Sequence, residues 1–411
     1  MTFTQKLEPK GNAAGKTPNT WNSTKLAKLV NLVYGKSPAE LEKFDAGIPI
    51  FGTGGISGYT NVALYEGPSV ILGRKGTIDK VQRSAGPFWA IDTTFYTTPK
   101  QNFDWSWLYY VLSSFDLRKL NEASGVPSLS RGSLEALDVA APPLQEQKKI
   151  AAILAVVDDK LDLIARQIEL SQKLKRGLMQ TLFSRGLGIQ DESGGWVPHS
   201  KFNESSLGTL PANWSVIPIG KALKIVERPV AMATDTHYRR VTVKRRYGGV
   251  ELRDKLPASE IKVKSQFRIE AGDFLISERQ IVHGACGIVP ENLAGALVSN
   301  EYLVLTAQDD GDVRYFSYLV QLLKYAKLFL QCAQGVDIEK FLFKPKDWLT
   351  KLVPVPPLAE QQRIVKVLGE VEAKIKALED RQGHYQSLKR GLMQKLLTGE
   401  WRVKPDADMA V

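Results

Sequence analysis

Cysteine and histidine are scarce in this chain of 411 residues, which holds only Cys286 and Cys332 and only His199, His237, His283 and His384. Two cysteines cannot form a disulfide framework and suggest a reducing compartment. The histidines are scattered, so sequence neighbours supply no His/Cys metal cluster. No run approaches 18 consecutive apolar residues, which leaves nothing to cross a bilayer as a helix. Residues 1–20 are polar with scattered lysines and have no apolar centre, unlike a signal peptide. They read as a mobile N-terminus of a soluble, cytoplasmic protein.

Recognisable catalytic motifs are also missing. No Asn-Pro-Pro-Tyr or Asp-Pro-Pro-Tyr tetrapeptide occurs that could hold an extruded amino base, and no Ser/His/Asp or Cys/His pairing stands out. Gly11-Asn12-Ala13-Ala14-Gly15-Lys16-Thr17 is a phosphate loop only in outline. It has three residues between its glycines rather than four and no preceding apolar strand. Asp254, Glu260 and Lys262 are the residue types of a Mg²⁺ nuclease site, at a tight spacing in a Lys/Glu-rich stretch. Neither cysteine looks reactive; both read as apolar packing.

The chain is long enough for two or three domains, and its composition, 43% hydrophobic and 24% charged, is that of a globular protein. Lys and Arg total 55 against 44 Asp and Glu, a surplus of +11 that favours an anionic partner such as nucleic acid or a membrane surface.

An internal repeat organises the sequence. The segment starting at Val139 (VAAPPLQEQKKIAAILAVVDDKLDLIARQIELSQKLKRGLMQTL) returns at Val353 (VPVPPLAEQQRIVKVLGEVEAKIKALEDRQGHYQSLKRGLMQKL) without a gap. The offset is 214 positions throughout (143 to 357, 179 to 393), and Lys175 to Gln180 recurs unchanged as Lys389 to Gln394. Each copy reads as a long helix. Pro142-Pro143 and Pro356-Pro357 suit a helix start, Glu146 and Glu360 suit the positive end of the dipole, and Lys173, Lys175, Arg176, Lys389 and Arg390 lie towards the negative end. Ile150, Leu154, Val157, Leu161, Ile164 and Ile168 follow coiled-coil spacing, matched by Ile364, Leu368, Val371, Ile375 and Leu378, before the second copy turns polar at Gln382. From Leu144 to Leu182 such a helix runs roughly 58 Å. Two seams of one period predict an internal antiparallel coiled coil between two similar halves.

The halves, Trp21 to Pro142 and Trp214 to Pro356, carry the same parts in the same order. A short apolar run (Leu26, Leu29, Val30, Leu32; Val216, Ile217, Ile219, Leu223) precedes strands such as Ser69–Leu72 and Phe274–Ile276. A late helical pattern follows, Trp105 to Leu120 and Val313 to Leu330, then Gly125-Val126 and Gly335-Val336. Trp21 to Pro143 spans 122 positions and Trp214 to Pro357 spans 143, so the globular parts diverged while the helices kept their length. The stretch Gly186 to Asn213 is rich in Gly, Ser, Asn and Pro and reads as linker. The predicted class is α+β: two globular domains of mixed strands and helices, joined by two long antiparallel helices with a pseudo-two-fold repeat.

Base-reading candidates are clearer than catalytic ones. Period 2 would place Arg240, Thr242, Lys244 and Arg246 on one strand face, as donors to phosphates or guanine edges. A charged, solvated edge strand explains them equally well. Gly73-Arg74-Lys75-Gly76 and Ser277-Glu278-Arg279-Gln280 follow corresponding strands, and Arg74, Lys75, Arg279 and Gln280 could contact bases; ordinary charged turns are the alternative. Gly54, Gly55 and Tyr59 belong to a glycine-rich stretch that could bring backbone close to a partner or simply turn tightly. His283 completes the candidate set.

Pro-Pro-Leu-x-Glu-Gln opening a long helix twice, Leu207 to Trp214 (LGTLPANW) and Gly284 to Val289 (GACGIV) together resemble the specificity subunit of type I restriction-modification systems. The resemblance covers nearly the whole chain beyond residue 20. It implies target recognition domains at 21–142 and 211–356, each reading half of a split site in double-stranded DNA through the major groove. It implies a central conserved helix at 143–186, a linker at 187–210, a distal conserved helix at 357–400 and a tail at 401–411. The helices would set half-site separation and dock two modification subunits. Those subunits would bind S-adenosylmethionine and methylate adenine, and restriction subunits would use ATP and Mg²⁺ to cut DNA. This chain would carry no cofactor and no catalytic residue. A stand-alone Mg²⁺-dependent nuclease and a coiled-coil scaffold that binds any nucleic acid are the rival classes.

Overall fold

A computed structural model of the chain describes residue 18 and residues 20–308, 311–335 and 341–404. The loop-like Gly11–Thr17 stretch, nearly all of the N-terminus expected to be mobile, and Val336 lie outside the described residues. The chain forms two compact units, one of Met1–Gln167 with Leu378–Val411, the other of Ile168–Ala377.

In the first unit the fully apolar run Val70-Ile71-Leu72 lies in the buried strand Ser69–Gly73. This strand sits inside a four-stranded antiparallel sheet, ordered Val30–Tyr34, Thr94–Pro99, Ser69–Gly73, Gln82–Ser84. A smaller sheet pairs the hairpin of Ile48–Gly52 and Gly55–Thr60 with Trp89–Ala90. Asn22–Lys25 and Asp138–Ala141 pair where the chain enters and leaves the globular part.

The second unit repeats this plan. Leu223–Ile225, Tyr302–Ala307, Phe274–Ser277 and Cys286–Ile288 make the corresponding four-stranded sheet, and Ser215–Pro218 pairs with Leu352–Val355. The counterpart of the first unit's smaller sheet has gained a strand and a longer hairpin, in the order Val250–Pro257, His237–Val243, Leu297–Ser299, Gln266–Arg268. The extra length of this half has therefore gone largely into that hairpin and the added edge strand.

Both repeats are long helices, Leu144–Arg185 and Leu358–Leu397. Within the first unit, Ile150, Ala151 and Leu154 share a core with Leu396 and Leu397, beneath Trp107 and Leu108. Within the second, Met179, Leu182 and Phe183 share one with Ile364, Val365 and Leu368. In each unit the start of one long helix thus meets the end of the other, so the two run antiparallel. Of the seam residues, Ile150, Leu154, Val157, Ile164, Ile364, Leu368 and Leu378 are buried, and Leu161, Ile168, Val371 and Ile375 are half-buried.

Three expectations needed correction. The pattern Trp105 to Leu120 is two elements, a helix Trp105–Ser114 and a 3₁₀ turn Leu117–Leu120. Phe115 leaves the helix in extended conformation, its ring buried. Val313 to Leu330 is likewise Val313–Leu319 and Leu323–Gln331; the break frees the Val320 carbonyl, which accepts from the Tyr247 hydroxyl at 3.2 Å. The stretch expected as linker folds into two short hairpins, Ile189–Gln190 with Trp196–Val197 and Phe202–Ser205 with Gly208–Pro211.

Candidate nucleic-acid interface

The motif Pro-Pro-Leu-x-Glu-Gln does more than start a helix: it seats each globular part on its helix. Glu146 and Glu360 are 3% and 2% exposed, although helix starts usually leave such residues in water. Trp21 Nε1 donates to Glu146 Oε2 at 3.1 Å, and Trp214 Nε1 donates to Glu360 Oε2 at 2.9 Å. Chain that follows the opposite long helix completes each carboxylate. Arg402 reaches Glu146 at 2.8 and 2.9 Å, and the Leu187 and Gly188 N–H groups and His199 reach Glu360 Oε1 at 2.8, 3.1 and 2.8 Å. Burial alone would push the Glu146 carboxyl up, but Arg402, Trp21 and the Val403 N–H outweigh it and hold it below its ordinary value. The neighbouring glutamines act alike. Gln147 Oε1 accepts from Asp104 N and Gln361 Oε1 from Asp312 N, both at 2.9 Å, while their amides donate at 2.8 Å to Pro142 O and Pro356 O. Asp104 and Asp312 in turn cap the helices that begin at Trp105 and Val313.

On the first globular part, several sequence candidates converge at one loop cluster. The Gly54–Gly55 turn lies beside the loop that follows Ser69–Gly73; a Cβ at Gly76, whose φ is +93°, would stand 3.6 Å from Thr53 Oγ1. At Gly73 a Cβ would fall 2.1 Å from the Thr77 carbonyl, so the loop can fold back on itself only with glycine there. Lys80 Nζ donates to the Gly54 carbonyl, and Lys75 is exposed. The Arg74 guanidinium lies 5.4 Å from the Tyr34 ring centre, its Nε enclosed without a hydrogen bond. Among the described residues Arg74, Lys75 and Lys80 have no carboxylate partner, leaving a basic cluster on a backbone that can approach an anion closely. Tyr59 is apart from it, half-buried and opposite Pro49 down the hairpin.

The second globular part presents a different surface in the corresponding place. Glu278 takes the position of Arg74: its N–H donates to Glu301 O as that of Arg74 donates to Thr93 O. Burial, then the nearby Glu301, raises the Glu278 carboxyl. Arg279 Nε binds Glu301 at 2.6 Å, and Gln280 Oε1 accepts from Arg245 Nε at 2.7 Å. The expected row of four donors is not a row. Strand His237–Val243 ends before Lys244, and Arg246 lies in the following turn with φ +58°, next to Tyr247 at +57°. Two consecutive left-handed residues are costly. They are held because the Arg246 and Tyr247 N–H groups donate to His283 O and Gly284 O at 2.7 and 2.8 Å. Arg240 is taken bidentately by Asp254 at 2.9 and 2.7 Å, and Lys244 pairs with Glu251 at 2.7 Å, while Thr242 is half-buried. Arg246, Gln280 and His283 are nevertheless gathered at one tip by these backbone bonds.

The nuclease reading meets an obstacle in the same strand pair. Asp254 is engaged by Arg240, which lowers its carboxyl, and among the described residues no three His, Cys, Asp or Glu come together to hold a metal. Cys286 and Cys332 are buried, and burial raises both thiols. Among the described residues no helix is long and apolar enough to cross a membrane.

Sequence reasoning read Glu146 and Glu360 as dipole partners and missed their role as buried anchors, and it passed over Gln147, Gln361 and Glu278. The repeated Glu-Gln pair, kept at a constant offset, was the signal available for the anchors.

Known proteins are similar to this chain in sequence or in fold. The specificity subunit of the Methanocaldococcus jannaschii MjaVIII type I restriction enzyme is 23% identical over 427 residues, 95% of each chain. The chain assigned as the MjaX specificity subunit of the same organism is 29% identical over 312 residues, 72% of this chain and 68% of that one. The S subunit of the type I restriction-modification system from M. genitalium shares the fold, with a TM-score of 0.62 at 17% identity over 94% of this chain and 98% of its own. The model of the type I restriction modification DNA specificity domain matches residues 18–172 and again 235–383. With two such domains, each seated on its long helix through the same glutamate and glutamine, the chain belongs to the type I restriction-modification specificity family.

Proposed function

We propose that each globular part reads one half of a split, asymmetric site in double-stranded DNA from the major groove, and that the long helices set the gap between the halves. The observation that carries this reading is the doubling itself: one chain holds two family domains on equivalent anchors, with unlike surfaces where Arg74 and Glu278 correspond. Two copies of one fold give a two-part target, and divergent loops make it asymmetric. The surplus of +11 suits a polyanionic partner.

The helices dock two modification subunits. In the first long helix Val156, Leu163, Leu170 and Leu174 are exposed, which supports an apolar docking face. Those subunits methylate adenine with S-adenosylmethionine, and restriction subunits supply ATP- and Mg²⁺-dependent cleavage. This chain contributes the address and holds no cofactor; it works in the cytoplasm, where the DNA is.

Adenine-methylation sequencing of a host with the partner subunits, with and without this gene, tests the reading. The expected result is a motif of two short specified blocks around a fixed unspecified gap, lost on deletion. Unchanged methylation in a host whose partners are shown to be active refutes it.

A further inference from the structure

A second attachment recurs in both units, away from the loops assigned to DNA. In the first unit the Tyr110 hydroxyl, on helix Trp105–Ser114, donates at 2.8 Å to Asp158 Oδ2 on the first long helix. Lys389, from the second long helix, reaches Asp158 Oδ1 at 2.5 Å, with its Nζ 5.5 Å from the Tyr110 ring centre. In the second unit Tyr318 donates to Glu372 Oε2 at 2.6 Å. Lys175 reaches Glu372 Oε1 at 2.6 Å and lies 5.8 Å from the Tyr318 ring centre. The helices have exchanged roles and the chemistry is unchanged.

The carboxylates and the lysines each keep the offset of the repeat (158 to 372, 175 to 389). The tyrosines do not, at 110 and 318; they sit in domains that changed length and sequence, yet both arrive at the same partners. Both tyrosines are buried, which favours the protonated, donating hydroxyl. Asp158 stands eleven positions beyond Gln147, about 16 Å along the helix. Anchors at the helix start alone would let a domain pivot; a second one about 16 Å away, shared with the opposite helix, removes that freedom.

We propose that each tyrosine–carboxylate–lysine joint is a positioning device that locks the rotation of its recognition domain on the two long helices, and so holds the spacer between half-sites to one length. This rests on the split-site reading above. The joint touches no base: it decides where a half-site is read, not which bases are read.

The test uses the full chain assembled with its methyltransferase subunits, acting on duplexes whose spacer is the natural length or one base pair shorter or longer. The wild type should methylate one spacer. The double variant Tyr110→Phe, Tyr318→Phe should keep both half-site sequences and lose about tenfold of its preference for that spacer. Lys175→Met with Lys389→Met, which spares the buried tyrosines, should broaden the spacer in the same way and guards against a simple folding defect. An unchanged spacer preference in folded variants overturns the proposal, as does an altered half-site sequence, which would assign these residues to base reading. A wild type without a split target overturns the underlying reading and this inference with it, so the two failures are distinct.

Discussion

Arg74 and Glu278 occupy one position of a shared fold with opposite charge, and the protein treats them differently. Arg74 is supported by an aromatic face and among the described residues has no acidic partner, so its guanidinium is available to a base edge. Arg279, one residue beyond Glu278, is already bound to Glu301, and Arg240 to Asp254. An arginine in an ion pair has part of its donor fork and its charge already engaged by a carboxylate, which weakens its attraction for DNA; Arg74 carries no such pair among the described residues. Arg74→Ala should therefore cost about 1–3 kcal/mol of discrimination in one half-site only. Arg74→Lys should not restore it, because lysine lacks the two-pronged geometry. Methylation rates on duplexes altered in one half at a time check this; an equal loss for every sequence would make Arg74 a phosphate contact.

At the scale of elements, the long helices kept their length while the domains they carry diverged. Leu144–Arg185 and Leu358–Leu397 are held together by apolar seams and by cores that each unit completes separately. Inserting one heptad into both helices preserves the seam and lengthens each by about 10 Å, roughly three base pairs of DNA. The methylated motif should then show a wider spacer with both specified blocks unchanged. A change in the blocks would mean that the helices take part in reading bases. The segment after each long helix, residues 187–188 in one case and 402–403 in the other, closes the carboxylate at the start of the opposite helix. Composition marked the first of these segments as linker because it registers Gly, Ser, Asn and Pro, not the buried acceptor the segment serves.

At the scale of the whole molecule, the two domains use interchangeable fittings: Trp21 and Trp214, Asp104 and Asp312, Tyr110 and Tyr318 meet equivalent helix residues. A chain in which residues 21–142 are replaced by the segment 211–356 should fold and, with the methyltransferase subunits, methylate an inverted repeat of the second half-site. Methylation sequencing reads this directly. A retained asymmetric motif, or a soluble chain that methylates nothing, would show that the domains are not equivalent as readers.

The sequence by itself determined the parts that rest on local period and on duplication. The coiled-coil spacing, the constant offset and the continuous apolar runs, such as Val70-Ile71-Leu72, specify helices, their pairing and the central strands, since burial needs only apolar residues at the right interval. Tertiary structure alone decided the rest. Whether Arg240 is a free donor depends on Asp254 across the strand pair, and Arg74 is set apart by its place over the Tyr34 ring, with no ion pair among the described residues. Arg246 left the expected strand face because a turn anchored on His283 and Gly284 outweighs strand alternation there. The roles of Glu146, Glu360 and the two tyrosines depend on partners far away in the chain. Charge pairing and buried hydrogen bonds are set by distance in space, which sequence spacing does not encode.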